Sequence, residues 1–239
     1  MYLFGNWKMN NTLEESVNFS IELINQLREK RPKSKIAIFP NAVCLPMMRE
    51  LLEEEEIGLG SQNFHHETEG PFTGETSLKQ VQEFIQYALV GHSERRKSGD
   101  TLEIIRKKLE LLNETNISPV LCISDPKDIP VLLTGQSTSL FSHLIIAFEP
   151  PALISDGKTF KKVPTPEEID EQIEIFEKEL AKVQSTGTPQ VPFMYGASVN
   201  ADNVEELLKS KKNQGFLMGQ ASVKFESFWK VVEKVEEKE

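Results

Sequence analysis

Three ionisable side chains closely follow short apolar runs, where they could share one proton-transfer reaction: Lys8, His92 and Glu149. A carboxylate can act as a general base, a neutral imidazole can donate a hydrogen bond, and a fixed ammonium group can hold an anionic substrate. Each residue also has an ordinary alternative. Lys8 could be an exposed charge, His92 a structural histidine, and Glu149 a solvated acid at a strand end. The catalytic interpretation requires a fold that brings the three together.

The pattern of apolar residues predicts that fold. Eight short β-rich runs alternate with helical stripes about every 30 residues, which favours parallel strands joined by right-handed helical crossovers. Eight strands in 239 residues favour closure of the sheet into an α/β (β/α)8 barrel, one domain over residues 1–239, rather than an open sheet. The predicted strands are Tyr2–Phe4, Ile36–Phe39, Ile57–Gly60, Tyr87–Val90, Val120–Ile123, Leu144–Phe148, Pro192–Tyr195 and Phe216–Met218.

Local signals mark some of the connections. Thr12 and Thr165 each precede a glutamate by three residues, which predicts a capping box at the start of a helix. Between the fifth and sixth strands, Pro126, Pro130 and Gly135 leave room for at most a short helix. We therefore expect an abbreviated fifth βα unit.

Composition excludes several classes of partner. The chain has 27 Lys and Arg against 37 Asp and Glu, so its net charge of −10 argues against nucleic acid or an anionic membrane. Two cysteines, Cys44 and Cys122, are too few for a disulfide framework and are typical of reduced thiols. No basic segment followed by an apolar stretch marks a leader, and no apolar run could span a membrane. We expect a cytoplasmic protein.

Small residues follow the last two predicted strands. They form the segments Gly196-Ala197-Ser198 and Gly219-Gln220-Ala221-Ser222. Backbone N–H groups in such turns can approach an anion, and barrels build phosphate sites after strands seven and eight. The loop Ala152–Thr159, which follows Glu149-Pro150-Pro151 and runs to the Thr165 cap, has a length that suits a closing lid, although it could be an ordinary connection.

With these pieces placed, the chain resembles the triosephosphate isomerase family from Gly5 to about Phe228. The motifs that carry the resemblance are Gly5-Asn6-Trp7-Lys8-Met9-Asn10, Gln62-Asn63, Gly70-Pro71-Phe72-Thr73-Gly74-Glu75, Val90-Gly91-His92-Ser93-Glu94-Arg95-Arg96, Ala147-Phe148-Glu149-Pro150, Tyr195-Gly196-Ala197-Ser198-Val199 and Gly215-Phe216-Leu217-Met218-Gly219.

The resemblance implies interconversion of dihydroxyacetone phosphate and glyceraldehyde 3-phosphate through an enediolate. Glu149 would move a proton between neighbouring carbons, and neutral His92 would polarise the carbonyl group and move protons between the oxygens. Lys8 and Asn6 would stabilise developing oxyanion charge, and Glu94 would orient its neighbours.

For the rest of the site, the resemblance implies phosphate binding by backbone groups and no metal or organic cofactor. Ile154 and Leu217 would press on the base and raise its basicity. The residues near the phosphate would be Ser155, Ser198, Gly219 and Gln220.

The resemblance also implies a homodimer. The segment Gln62–Ser77 is long and contains the Phe72-Thr73-Gly74-Glu75 motif, which in the family reaches into the neighbouring subunit beside the lysine. A long loop can simply be solvated, but the motif favours an interface.

The sequence departs from the family pattern in the lid and in the phosphate loop. Pro151–Asp156 differs from the usual lid, and Gln220 replaces the second glycine of a Gly-Gly pair. Ser124-Asp125 stands where the family generally has Gly-Glu after Cys-Ile. These changes leave two alternatives open: a phosphometabolite-binding barrel with weak turnover, or a leaky enzyme that eliminates phosphate from the enediolate.

The lid departures lead to a prediction. Pro150-Pro151 stiffens the entry of the loop and Asp156 adds negative charge near a phosphate, so we expect a less favoured closed state. A leaky site should show a raised KM and some phosphate elimination. The double change Ser155→Gly with Asp156→Thr should raise kcat/KM and lower the fraction of turnovers that release phosphate. Unchanged values of both quantities would contradict the argument.

Overall fold

A closed barrel of eight parallel strands forms the centre of the molecule. The computed structural model describes residues 1–149 and 163–238. Each strand pairs with its neighbour in chain order, and the first also pairs with the last, so the closed (β/α)8 prediction is confirmed. The strands are β1 Tyr2–Asn6, β2 Lys35–Phe39, β3 Ile57–Ser61, β4 Tyr87–Val90, β5 Ser118–Ile123, β6 Ile145–Phe148, β7 Phe193–Tyr195 and β8 Gly215–Met218.

Helices fill the connections between the strands. Both predicted capping boxes are present, because Thr12 and Thr165 each accept from the backbone N–H three residues later while the glutamate side chain there accepts in return. The helices are α1 Leu13–Glu29, α2 Leu45–Leu51, α3 Leu78–Val81, α4 Ser93–Lys97, α5 Leu102–Leu112, α6 Asp128–Leu133, α7 Thr138–His143, α8 Pro166–Ala181, α9 Val204–Leu207 and α10 Phe225–Glu236.

The core has two layers. Alternate strand residues, among them Phe4, Phe39 and Met194, form a cluster made only of strand side chains, which fills the barrel interior. The intervening strand residues pack against the helices, and the apolar stripes of α5, α8 and α10 lie in that layer as expected. Gly60 in β3 leaves room for the Phe39 ring, since a Cβ at Gly60 would lie 2.1 Å from that ring. Only glycine therefore fits beside that ring.

The fifth crossover differs from its prediction. It contains two six-residue helices, α6 and α7, rather than at most one. Pro130 lies in the first turn of α6, where its missing N–H needs no helical partner. Gly135 then takes a positive φ of 77° between the two helices, and the hydroxyl of Ser137 accepts from the backbone N–H of Leu140 to cap α7.

Within the two described ranges, none of the helices combines the length and the apolar character needed to cross a membrane.

Candidate active site

The predicted site residues lie at one end of the barrel. Asn6 ends β1, with Lys8 two residues on, and His92 with Glu94 follows β4. The strand β6 is followed by Glu149, β7 by Ser198, and β8 by Gly219-Gln220. Because all eight strands are parallel, these positions share the barrel mouth formed by the carboxyl ends. Ser155, Ile154 and the other lid positions lie outside the described residues.

A buried pair lies at the centre of the mouth. The Nε2 atom of His92 is 3.3 Å from Oε1 of Glu149, and the two residues are 6% and 5% exposed. The other carboxylate oxygen of Glu149 is buried and has no hydrogen-bond partner in the part of the chain that the structure describes. A buried acceptor without a partner is costly to maintain, and it leaves one oxygen available to take a proton.

The backbone orients the His92 ring. His92 is the N-cap of α4, and its Nδ1 accepts a hydrogen bond from the backbone N–H of Glu94 at 3.2 Å. A neutral imidazole whose Nδ1 accepts carries its proton on Nε2. The proton on Nε2, the ring nitrogen nearest Glu149, can then be donated to a substrate oxygen.

Gly196, directly after β7, lies beside the stem of Glu149. A Cβ built at Gly196 would lie 3.3 Å from Cγ of Glu149 and 3.6 Å from Cβ of Leu217. Leu217 is itself buried in the barrel interior. Gly196 therefore lies beside both Glu149 and Leu217, and the pressure of Leu217 on the carboxylate that the resemblance implies stays a prediction.

Lys8 is held in an unusual backbone conformation. Its φ is 54°, in the left-handed region that residues with a side chain seldom occupy. Its N–H donates to Oδ1 of the buried Asn6 at 3.1 Å, and its carbonyl accepts from Nε2 of Gln62 at 2.8 Å. Gln62 also donates to the carbonyl of Phe39. These contacts fix the backbone from which the ammonium group projects.

The Lys8 ammonium group donates to Glu94. Its Nζ is 2.7 Å from Oε1 of Glu94, whose other oxygen is 3.8 Å from Nδ1 of His92. Partial burial opposes ionisation of Glu94, but the hydrogen bond and charge of Lys8 outweigh it and lower the pKa of that carboxyl. Glu94 therefore stays ionised between the cation and the imidazole.

One of the phosphate-loop candidates, Gly219, lies beside this cation. A Cβ at Gly219 would lie 3.4 Å from Cε of Lys8 and 3.8 Å from its Nζ, so the loop after β8 lies beside the ammonium group. Gln220 begins the 3-10 turn Gln220–Ser222 and is exposed. Ser198 is half-buried after β7, and its carbonyl accepts from Nδ2 of Asn203 at 2.6 Å.

Gln62 was expected only as part of a family motif and as the start of the interface segment, whereas the structure makes it a direct support of Lys8. Its place immediately after β3 was the available signal, because polar residues at strand ends reach the mouth. Across residues 1–149 and 163–238, no cluster of three or more His, Cys, Asp or Glu could bind a metal ion.

Known proteins similar to this chain identify its family. A family model described as triosephosphate isomerase matches residues 1–235. Two proteins named triosephosphate isomerase, from Carboxydothermus hydrogenoformans and Thermus thermophilus, are 34% and 33% identical to this chain, respectively. The first alignment covers 97% of both chains and the second 94% of both. A third relative of that name, from Clostridium tetani, is 32% identical over 95% of this chain and 94% of its own length. The chain belongs to the triosephosphate isomerase family and is an isomerase that interconverts dihydroxyacetone phosphate and glyceraldehyde 3-phosphate.

Proposed function

We propose that Glu149 is the base of this isomerisation and that His92 is its hydrogen-bond donor. Glu149 takes a proton from one substrate carbon, which leaves an enediolate, and returns the proton to the neighbouring carbon. His92 donates its Nε2 proton toward the substrate oxygens and moves protons between them. Neither step calls for a metal or an organic cofactor.

One observation carries this assignment. The carboxylate and the imidazole face each other at 3.3 Å in a buried position, and the free carboxylate oxygen has no partner among the described residues. A substrate that binds against this pair would meet a proton acceptor and a proton donor together. Burial strengthens both interactions, because the local dielectric constant is below that of water.

In the same proposal, Lys8 attracts the anionic substrate and Asn6 supports Lys8. The ammonium group of Lys8 lies at the mouth of a chain whose net charge is −10, so it supplies the local attraction that a phosphorylated triose needs. Asn6 fixes the Lys8 backbone, and Glu94 orients the cation. Backbone groups at Ser198, Gly219, Gln220 and Ser155 complete the phosphate site in this proposal.

A coupled assay on the purified protein, with phosphate release followed in parallel, tests the assignment. Sustained isomerisation in both directions with little phosphate release is expected. Binding of the substrate without turnover would instead support the binding-barrel alternative. Phosphate release comparable to isomerisation would support the leaky enzyme.

The proposal includes a homodimer built on the segment Gln62–Ser77. The base of this segment is anchored: Oδ1 of Asn63 accepts from Nζ of the buried Lys108 at 2.7 Å. Farther along, the Phe72 ring lies 4.2 Å from the His65 ring and is 40% exposed. An anchored loop that presents an aromatic ring suits insertion into a second copy.

The interface proposal predicts a change of assembly state. Phe72→Glu should shift the protein from dimer to monomer in sedimentation velocity, because burying a carboxylate in an apolar contact is costly. Ile175→Glu is the matched control, since Ile175 is 42% exposed on α8. A wild-type protein that sediments as a monomer, or a Phe72→Glu variant that stays dimeric, would contradict the interface.

We further infer that the chain works as one domain over residues 1–239 in the cytoplasm. Cys44 and Cys122 are both buried free thiols, which suits a reducing compartment.

A further inference from the structure

One arginine outside the substrate site joins three parts of the barrel mouth. Nε of Arg96 donates to the carbonyl of Gly91 at 2.7 Å, at the end of β4. One of its terminal nitrogens donates to the carbonyl of Cys122 in β5 at 3.3 Å. The other lies 3.0 Å from Oδ2 of Asp128, the first residue of α6. A single guanidinium group thus links two strand ends to the fifth crossover.

The contact with Gly91 acts on the His92 backbone. The carbonyl of Gly91 belongs to the same planar peptide group as the N–H of His92, so a fixed carbonyl fixes that plane. Gly91 itself has a φ of 74° and little space: a Cβ there would lie 3.1 Å from the carbonyl oxygen of Cys122 and 3.3 Å from Arg96. The backbone is therefore held on two sides immediately before the imidazole.

Asp128 orients the guanidinium group. Both side chains are largely shielded from solvent, at 25% exposed for Arg96 and 21% for Asp128. A charge-assisted contact in such a place is stronger than a surface pair and directional, since the guanidinium donors form a rigid fork. Without the carboxylate, the fork would keep two carbonyl acceptors but lose its only charged partner among the described residues.

From these contacts we propose that Arg96 and Asp128 are positioning residues for the isomerisation. They hold the Gly91–His92 peptide so that Nε2 of His92 faces Glu149, and the short fifth crossover supplies the carboxylate. This inference rests on the role proposed above for His92. It explains why α6 begins with an acid directed at the mouth, in the region where the sequence departs from its family.

The test compares two Asp→Asn variants of the same crossover. Asp128→Asn should lower kcat about tenfold and leave KM within about twofold, because a displaced imidazole weakens the transition state more than phosphate binding. Asp125→Asn is the matched control: the side chain of Asp125 accepts from the backbone N–H of Lys127 two residues on. It should keep both constants. Asp128→Glu, which restores a carboxylate, should recover most of the lost kcat.

Two further measurements separate positioning from a purely structural role. The ¹⁵N NMR signals of the His92 ring should shift in folded Asp128→Asn and stay unchanged in Asp125→Asn. A kcat loss that merely follows the folded fraction measured by thermal unfolding would overturn the proposal. So would a wild-type kcat in Asp128→Asn.

A His92→Gln variant separates failure of the role proposed for His92 from failure of the positioning role proposed for Arg96 and Asp128. If His92→Gln keeps full activity, the role proposed for His92 is wrong and the positioning inference fails with it. If His92→Gln loses activity while Asp128→Asn keeps its kcat, the positioning inference alone is wrong.

Discussion

Glu149→Gln should lower kcat by at least about 10²–10⁴-fold, the contribution typical of general acid–base groups. The amide matches the carboxylate in size, so the packing beside Gly196 is preserved. It cannot take a proton from carbon, however, so the buried oxygen that has no partner among the described residues loses its function. KM should change much less than kcat, because the base contacts a carbon-bound proton rather than the phosphate.

The measurement is steady-state kinetics in both directions, joined to the exchange of substrate hydrogen with deuterated solvent. Loss of exchange in parallel with kcat would identify the missing step as proton abstraction. Glu171→Gln provides a control, since Glu171 is exposed on α8, outside the site. Full activity in Glu149→Gln would remove the basis of the mechanism.

Lys8→Met should weaken substrate binding and turnover together, with kcat/KM falling about 10²–10³-fold, as for other groups that stabilise transition-state charge. The structure adds a reason for a large effect. Glu94, whose Oε1 lies 2.7 Å from Nζ of Lys8, would remain as an unpaired negative charge beside the anionic substrate. The variant therefore loses an attraction and gains a repulsion.

A double variant isolates that repulsion. Lys8→Met with Glu94→Gln should bind substrate better than Lys8→Met alone, because the unpaired charge is gone. Lys234→Met is the control for loss of an ion pair, since its partner Glu205 lies on α9, away from the mouth. An unchanged kcat/KM in Lys8→Met would show that another cation holds the phosphate.

The barrel, and the meeting of Lys8, His92 and Glu149 at its mouth, could be predicted because each depends on local pattern. Apolar runs at regular intervals define the strands, and parallel strands bring their carboxyl ends to one mouth. Lys8, His92 and Glu149 then share that mouth without any knowledge of side-chain packing. The structure confirms that they meet there: His92 Nε2 lies 3.3 Å from Glu149 Oε1, and Lys8 Nζ lies 2.7 Å from Oε1 of Glu94, two residues after His92.

The supporting contacts could not be predicted in this way. Gln62 reaches the carbonyl of Lys8 across 54 positions of the chain, and Arg96 reaches Asp128 across 32. Nothing in the local sequence at either end specifies the partner, since such contacts depend on how closely two crossovers approach. Pro130 misled the prediction for a related reason: a proline breaks a helix or begins one according to its position in the first turn.

The left-handed backbone of Lys8 sets stability against activity at one position. A residue with a side chain incurs about 1–2 kcal/mol of strain in that region, and glycine would relieve it. The same glycine would remove the ammonium group from the mouth, so selection for a more stable chain and selection for a faster enzyme act in opposite directions on residue 8. The strain is retained as long as turnover matters to the cell, and a barrel freed from that demand would lose Lys8 early.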